Sequence, residues 1–364
     1  MPRIAEPAPI GVLGTGVFLP PAIRSNEEVG AAAGVSAQWI LERTGVRRRH
    51  VAEPGAAASD LAAEAVRAAV HRAGLAPGDL DLIVLGTSTP DELGPSTACR
   101  VQAALGARGA VALDVSGACS GWLFGARVAH DWLRAGTGER YAAVVGSEVF
   151  SRFVNPADRA TATLFADGAA AAVLGPVPHG SGFAPIVLGS DGTHAGDVLI
   201  PAGGSRQPAA PGTVARGAHR IRMDGKAVRD FILEIFPKAA GEALARSGLT
   251  AEQVDLIIAH QPNPQLLRLA CEQAGLPMDR LVVIGDETGN IGAASLPYAL
   301  AAADADGRLN PGDRALMVAF GAGLTWGSTI LTWAGAEAGP GFPARWSAVV
   351  GAPRRAAESA GNAW

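Results

Sequence analysis

No charge excess, no cysteine pairing pattern and no long apolar run mark this 364-residue sequence, and each absence removes a class of protein. Lys plus Arg number 30 against 34 Asp plus Glu, a formal net charge of -4, so no overall basic field exists to hold nucleic acid or an anionic membrane. An anionic ligand has to be met locally. Lysine is almost missing: Lys226 and Lys238 are the only two, and the other 28 of the 30 basic residues are arginine, a bias of the kind a GC-rich genome imposes. Cys99, Cys119 and Cys271 are odd in number and lack C-x-x-C spacing, which argues for free thiols in a reducing cytoplasm. The histidines form no cluster with metal-ligand spacing, so no metal is expected. The N-terminus lacks the charged region, apolar run and small-residue cleavage site of a secretion signal. Glycine, proline or charge interrupts every apolar stretch before the ~18 residues that a membrane span needs. The expectation is a soluble, cytoplasmic protein.

What is there describes a compact globular chain: 48% hydrophobic residues, 18% charged, and 47 glycines. The length suits two core-forming units. An internal repeat supplies them. Residues 59 to 86 read as a capped amphipathic helix, a glycine stop, a turn and a buried strand, and residues 228 to 260 read the same way. Gly74, Leu75, Asp81, Leu82 and Ile83 recur as Gly248, Leu249, Asp255, Leu256 and Ile257, all 174 positions on (248 − 74 = 174). Further along, VALDVSGACSG before WLFGARVAHDWLRAG predicts strand, small-residue turn and helix. LVVIGDETGNIG before AASLPYALAAADADG predicts the same order, with Cys119 and Asn290 at matching places. Each half is expected to close with a glycine-rich hairpin, from Phe165 and from Phe320.

Alternating apolar strands and helices predict an α/β fold with sheets buried on both faces, and two such units imply pseudo-twofold symmetry. The expected organisation is an N-terminal half over residues 1–178 and a connector and possible lid over 179–220. A C-terminal half over 221–335 and a flexible tail over 336–364 complete it.

Three residues stand where chemistry could gather. Cys119 opens a helix, where exposed N–H groups and the positive end of the dipole favour thiolate, and the small neighbours in SGACSG leave its sulfur approachable. His260 ends the strand DLIIAH, at the kind of strand end that carries ligand sites in α/β folds. It aligns with Gly86 across the repeat. Asn290 sits in TGNIG. Each has an ordinary reading by itself: a packed thiol, a satisfied structural histidine, a turn asparagine.

Together with their surroundings they resemble a known family. ACSG at Cys119, AHQPN at His260, TGNIGAAS at Asn290 and FGAGLTWGS from Phe320 resemble the β-ketoacyl-acyl-carrier-protein synthase III family of the thiolase superfamily. So do GTGVFLP near the start, WILERTGVRRRH from Trp39 and NPADRATATLFADGAAAAVLG from Asn155. These run in family order over about residues 10 to 333.

The resemblance implies a thiolase-like α-β-α-β-α fold and a Cys119–His260–Asn290 triad. An acyl thioester would load Cys119, with the backbone N–H groups of Cys119 and Ala322 as the oxyanion hole. A malonyl thioester would then lose carbon dioxide, its enolate held by neutral His260 and Asn290, and attack the acyl group. Family members commonly carry glycine where Ala322 stands. The resemblance also implies coenzyme A binding at Trp39, Arg43 and Arg159. Trp39 and Arg43 share one face of a short helix begun by Ser36, an indole beside a guanidinium suiting a purine and a phosphate.

Acyl-pocket positions fall on Gly94, Phe165 and Met223. No permanently bound cofactor is implied; the substrates would be coenzyme A or carrier-protein thioesters, and the assembly a homodimer. Departures lie at Gln265, Arg229 and Asp230, where the docking residues differ, and in the proline-bearing HQPNP.

Other readings stay open at this level. Within the same fold, the acyl group could pass to an alcohol or amine without decarboxylation. A silent partner subunit of a heterodimer is a second alternative, although such subunits usually lose the nucleophile. The glycines of GVLGTGVFLPP resemble a dinucleotide fingerprint, but their order is G-x-x-G-x-G and the prolines that follow prevent the helix it requires.

Overall fold

The computed structural model describes residues 8–135 and 138–335. The tail expected over 336–364 lies outside the described residues. Two mixed sheets carry the fold. The first holds β1 (Ile10–Phe18), β2 (Leu82–Gly86), β3 (Val111–Val115), β4 (Ala142–Val149) and β5 (Asp167–Pro176) in the order β1-β5-β4-β2-β3. Strands β2, β3 and β4 run parallel, and β5 is antiparallel to both β4 and β1. The second sheet comprises β6 (Gly182–Phe183), β7 (Val187–Ser190), β8 (Leu256–Ala259), β9 (Arg314–Gly321) and β10 (Thr325–Thr332). Here β8 and β9 are parallel, β9 and β10 form a hairpin, and β6 and β7 both pair with β10.

Helix α1 (Ala37–Thr44) lies on the N-terminal side, and α2 (Ala58–Arg72) covers the outer face of the first sheet. Helix α3 (Gly121–Arg134) packs between the sheets, α4 (Gly225–Ser247) and α5 (Pro264–Gln273) cover the second sheet, and α6 (Ser295–Ala305) joins α3 in the middle. The middle layer is where the two sheets share one core: Trp122 and Leu123 of α3 and Leu296 and Leu300 of α6 are fully buried with residues from both. Trp122 satisfies its indole N–H on the Val144 carbonyl at 3.0 Å. Glycine permits the tight crossing of β2 by α3, because a Cβ on Gly86 would lie 2.6 Å from the Gly121 carbonyl carbon.

The repeat of 174 has a physical cause. Asp81 ends a turn and accepts from the backbone N–H groups of Arg140 and Tyr141 at 2.8 and 3.0 Å, while Asp255 accepts from the N–H of Arg314 at 2.8 Å. Each aspartate thus registers its own strand, β2 or β8, against the neighbouring parallel strand. Gly74 and Gly248 end α2 and α4 with φ of 68° and 63°, a left-handed conformation that costs glycine nothing.

Four expectations change. LVVIG does not form a strand: Leu281 makes only an isolated bridge to Ile257. The Gln261 side chain substitutes for a ladder there, donating to Ala259 and Val282 carbonyls at 3.0 Å and accepting from the N–H groups of Ile284 and Gly285 at 3.2 and 3.3 Å. Cys119 and Asn290 are not counterparts. The short turns Ala118–Ser120 and Gly292–Ala294 match at the same offset (292 − 118 = 174), so Ala293 stands opposite Cys119.

The hairpin from Phe165 is no tight hairpin either, since residues 150–166 separate β4 from β5 and include a short helix, Arg159–Ala162. Finally, the predicted connector is only partly irregular. It supplies β6 and β7 to the second sheet, and its Val198–Leu199 segment pairs with Arg222–Met223.

Candidate active site

Cys119 is held on a sharp elbow between β3 and α3. Ala118 before it has φ of 46°, a left-handed conformation that costs an alanine roughly 1–3 kcal/mol and is kept only where surrounding contacts impose it. Those contacts are present. The Ser120 hydroxyl donates to the Gly117 carbonyl at 2.7 Å and lies 2.8 Å from the Thr325 hydroxyl, which in turn reaches the carbonyls of Gly117 and Ala322 at 3.1 Å. The hairpin of β9 and β10 is thereby tied to the Cys119 turn. A Cβ on Gly321 would stand 2.7 Å from the Cys119 amide nitrogen, so glycine is what lets the two segments meet.

His260 and Asn290 line the same cavity of about 460 Å3 as Cys119 and Ala322. His260 follows β8 and extends its ladder, its N–H bonding the Val318 carbonyl at 2.9 Å. Its ring packs edge-on to Phe320 with centroids 5.1 Å apart, and its Nδ1 lies 2.6 Å from the Ser295 hydroxyl. Asn290 is pinned at both ends of its own peptide unit, to Leu164 and Ala166, and its Oδ1 accepts from the Gly292 N–H at 2.9 Å. With the oxygen engaged, the amide NH2 is the group left to act as a donor.

The electrostatics differ from the sequence expectation for Cys119. Burial, and secondarily the Glu148 carboxylate, push its thiol above the ordinary range, with its own amide N–H only partly opposing them. The start of α3 therefore does not make a standing thiolate. Burial likewise pushes His260 down to about 3, so the imidazole is neutral at physiological pH.

Glu148, at the end of β4, carries no sequence signal beyond being an acid in an apolar strand. It is fully buried, accepting from the Ser88 N–H at 3.0 Å and the Thr89 hydroxyl at 3.0 Å, with the Ala293 N–H at 3.5 Å. Burial raises its pKa to about 8. The carboxyl thus bridges the loop after β2 and the turn ahead of α6.

The predicted binding residues divide. Trp39 and Arg159 line the cavity, with the guanidinium 5.7 Å from the indole centroid, a cation–π pair. Arg43 is exposed and does not line it, although it follows Trp39 by one helical turn. Phe165 and Met223 line the cavity wall. Gly94 does not; its loop points outward, and its neighbour Leu93 is 84% exposed.

Val198 and Ile200, from the predicted lid, do form part of the wall. In HQPNP, Pro262 lines the cavity, while Asn263 caps α5 by accepting from the Leu266 N–H at 2.9 Å and Pro264 takes the first helical position. Gln265 is exposed, and Asp230 pairs with Lys226 at 2.8 Å on the surface of α4. Among the described residues no group of three or more His, Cys, Asp or Glu is placed to hold a metal ion, and no helix is long and apolar enough to cross a membrane.

Two repeated α/β halves with a cysteine at the head of a central helix define a thiolase-like acyltransferring enzyme. The chain belongs to the β-ketoacyl-acyl-carrier-protein synthase III family. Residues 113–192 match the 3-oxoacyl-[acyl-carrier-protein] synthase III profile and 244–333 match that of its C-terminal region. The chain is 43% identical, over 91% of its length and 99% of the relative's, to a β-ketoacyl-[acyl-carrier-protein] synthase III from Caldanaerobacter subterraneus subsp. tengcongensis.

Among solved structures, it resembles 3-oxoacyl-(acyl carrier protein) synthase III from Pseudomonas aeruginosa PAO1 with a TM-score of 0.83 and 38% identity, covering 90% of this chain and 99% of that one. The priming β-ketosynthase of the R1128 polyketide pathway is similar too, with a TM-score of 0.83 at 33% identity, covering 91% and 98%.

Proposed function

We propose that the chain makes a β-ketoacyl thioester in two half-reactions at Cys119. In the first, the Cys119 sulfur attacks an acyl thioester, the bond from the acyl carbon to the donor sulfur breaks, and the thiol proton ends on the departing thiol. In the second, a malonyl thioester loses its carboxylate as carbon dioxide. The resulting enolate attacks the acyl carbon, and the released Cys119 sulfur regains a proton from solvent. His260 and Asn290 stabilise the enolate oxygen as neutral donors, and the amides of Cys119 and Ala322 hold the tetrahedral oxyanion.

One observation carries this reading: Cys119, His260, Asn290 and Ala322 meet in a single cavity whose walls are largely apolar. Trp39 and Arg159 at that cavity suit the nucleotide end of coenzyme A, and a carrier-protein thioester is the natural malonyl donor by analogy with the relatives. The free thiols suit a reducing cytoplasm.

A homodimer is part of the proposal. Among the described residues edge strand β3 has no partner on its outer side, Val111 is 47% exposed, and Leu93 is 84% exposed.

The test mixes purified protein with an acyl thioester and a malonyl thioester and follows two signals: an acyl mass on the intact chain and carbon dioxide. Both are expected, and both are expected to vanish in Cys119→Ala. Acylation without carbon dioxide, with transfer to an added alcohol or amine, would replace condensation by simple acyl transfer. No adduct with any donor would support a silent subunit.

A further inference from the structure

Ser295 opens α6 and is fully buried, five residues beyond Asn290. Its hydroxyl has three neighbours: His260 Nδ1 at 2.6 Å, the Gly292 carbonyl at 2.8 Å, and the Gln261 N–H at 3.3 Å. A hydroxyl has one proton to give. The Gln261 N–H must donate to it, so the proton goes either to Gly292 or to His260.

The Gly292 carbonyl already accepts from the Ser295 backbone N–H, so it stays satisfied when the hydroxyl turns to His260. The contact to His260 is the shortest of the three, which makes Nδ1 the nearest acceptor for the hydroxyl's proton. Both points send the proton to Nδ1.

We propose that Ser295 is a positioning residue that holds His260 in the tautomer protonated on Nε2, so that the imidazole presents an N–H donor to the cavity. The inference rests on reading His260 as the enolate's donor. A neutral imidazole has one proton, and a partner that donates to one nitrogen forces that proton to the other. The ring's other neighbour, the Gly292 carbonyl, can only accept. Without the Ser295 hydroxyl, Nδ1 would lose its one hydrogen-bond donor, and nothing would then hold the proton on Nε2. With the proton on Nδ1, His260 would present a lone pair where the enolate oxygen needs a hydrogen.

The test uses the full chain labelled with 15N in histidine, as wild type, Ser295→Ala and Ser295→Thr. Nitrogen shifts distinguish a protonated from a bare imidazole nitrogen. Wild type and Ser295→Thr are expected to show the proton on Nε2, and Ser295→Ala on Nδ1. In kinetics, Ser295→Ala is expected to load Cys119 within about threefold of wild type while carbon dioxide release falls at least about tenfold, with Ser295→Thr restoring much of it.

A wild type protonated on Nδ1, or an unchanged tautomer in Ser295→Ala, would overturn the assignment. So would equal losses in both half-reactions, the mark of a merely structural role. A wild type that loads acyl groups but releases no carbon dioxide sinks the condensation reading instead, while the nitrogen shifts still decide the tautomer.

Discussion

Gly321 of the β9 hairpin stands against the backbone of Cys119 so closely that an added Cβ would come within 2.7 Å of the Cys119 amide nitrogen. This contact joins the second half of the molecule to the Cys119 turn of the first. It also sets where Ala322 lies relative to Cys119, which matters because the proposed oxyanion donors come one from each half.

Gly321→Ala should therefore displace the hairpin from the nucleophile turn. The atoms the new Cβ would meet are all backbone, so no flexible side chain can relieve the clash. Loading of Cys119 is expected to fall by about 10²-fold, the range for loss of one oxyanion donor. A loading rate within a few-fold of wild type, measured by intact mass against time, would show that the hairpin is not part of the oxyanion site.

Glu148 predicts a pH effect with a definite sign. Its folded pKa, raised to about 8 by burial, lies above the unfolded value near ~4.3. Between those values the unfolded chain has released a proton that the folded chain still holds, so this group makes stability fall as pH rises from about 4.5 to about 8. Glu148→Gln mimics the protonated carboxyl and removes the titration. The difference in melting temperature, variant minus wild type, should become more positive between pH 5 and 9. A difference that stays constant over that range would mean Glu148 does not titrate there.

The resemblance implies coenzyme A contacts for both Arg43 and Arg159, and the structure separates the two positions. Only Arg159 lines the cavity and stacks on Trp39, whereas Arg43 is exposed. If the acyl donor's nucleotide binds at Trp39, Arg159→Ala should raise KM for a coenzyme A thioester about tenfold with kcat little changed, the pattern of lost uniform binding. Arg43→Ala should raise it less than about threefold, as expected for a solvent-screened charge. A larger effect at Arg43 would move the nucleotide outward onto the exposed face of α1.

Much of this was legible in the sequence because it is local. Asp81 and Asp255 recur since each bonds the backbone of the adjoining strand, and Gly74 and Gly248 recur since each needs a left-handed turn. What the sequence hid depends on partners far along the chain. The strand pattern in LVVIG is real, but the Gln261 side chain takes the backbone bonds a strand would have made. Glu148 and Ser295 looked ordinary because their meaning comes from Ser88 and His260, 60 and 35 residues away. The direction in which the Cys119 thiol shifts has the same origin: its helix start is visible in sequence, while its burial and its carboxylate neighbour are not.

Asn290 offers the most direct separation of the half-reactions. Its Oδ1 is committed to the Gly292 N–H at 2.9 Å, so the side chain can serve an enolate only through its NH2. Asn290→Asp keeps the shape and the bond to Gly292 but, as the ionised carboxylate, replaces both donor hydrogens with an oxygen that can only accept. It should lower carbon dioxide release by about 10²-fold or more, because an acceptor facing the developing negative charge repels it. Loading of Cys119 does not require that donor and should stay within about threefold, measured by the acyl mass on the intact chain. If loading falls as far as decarboxylation, Asn290 acts by shaping the cavity. If neither falls, the enolate is stabilised by His260 and other groups without it.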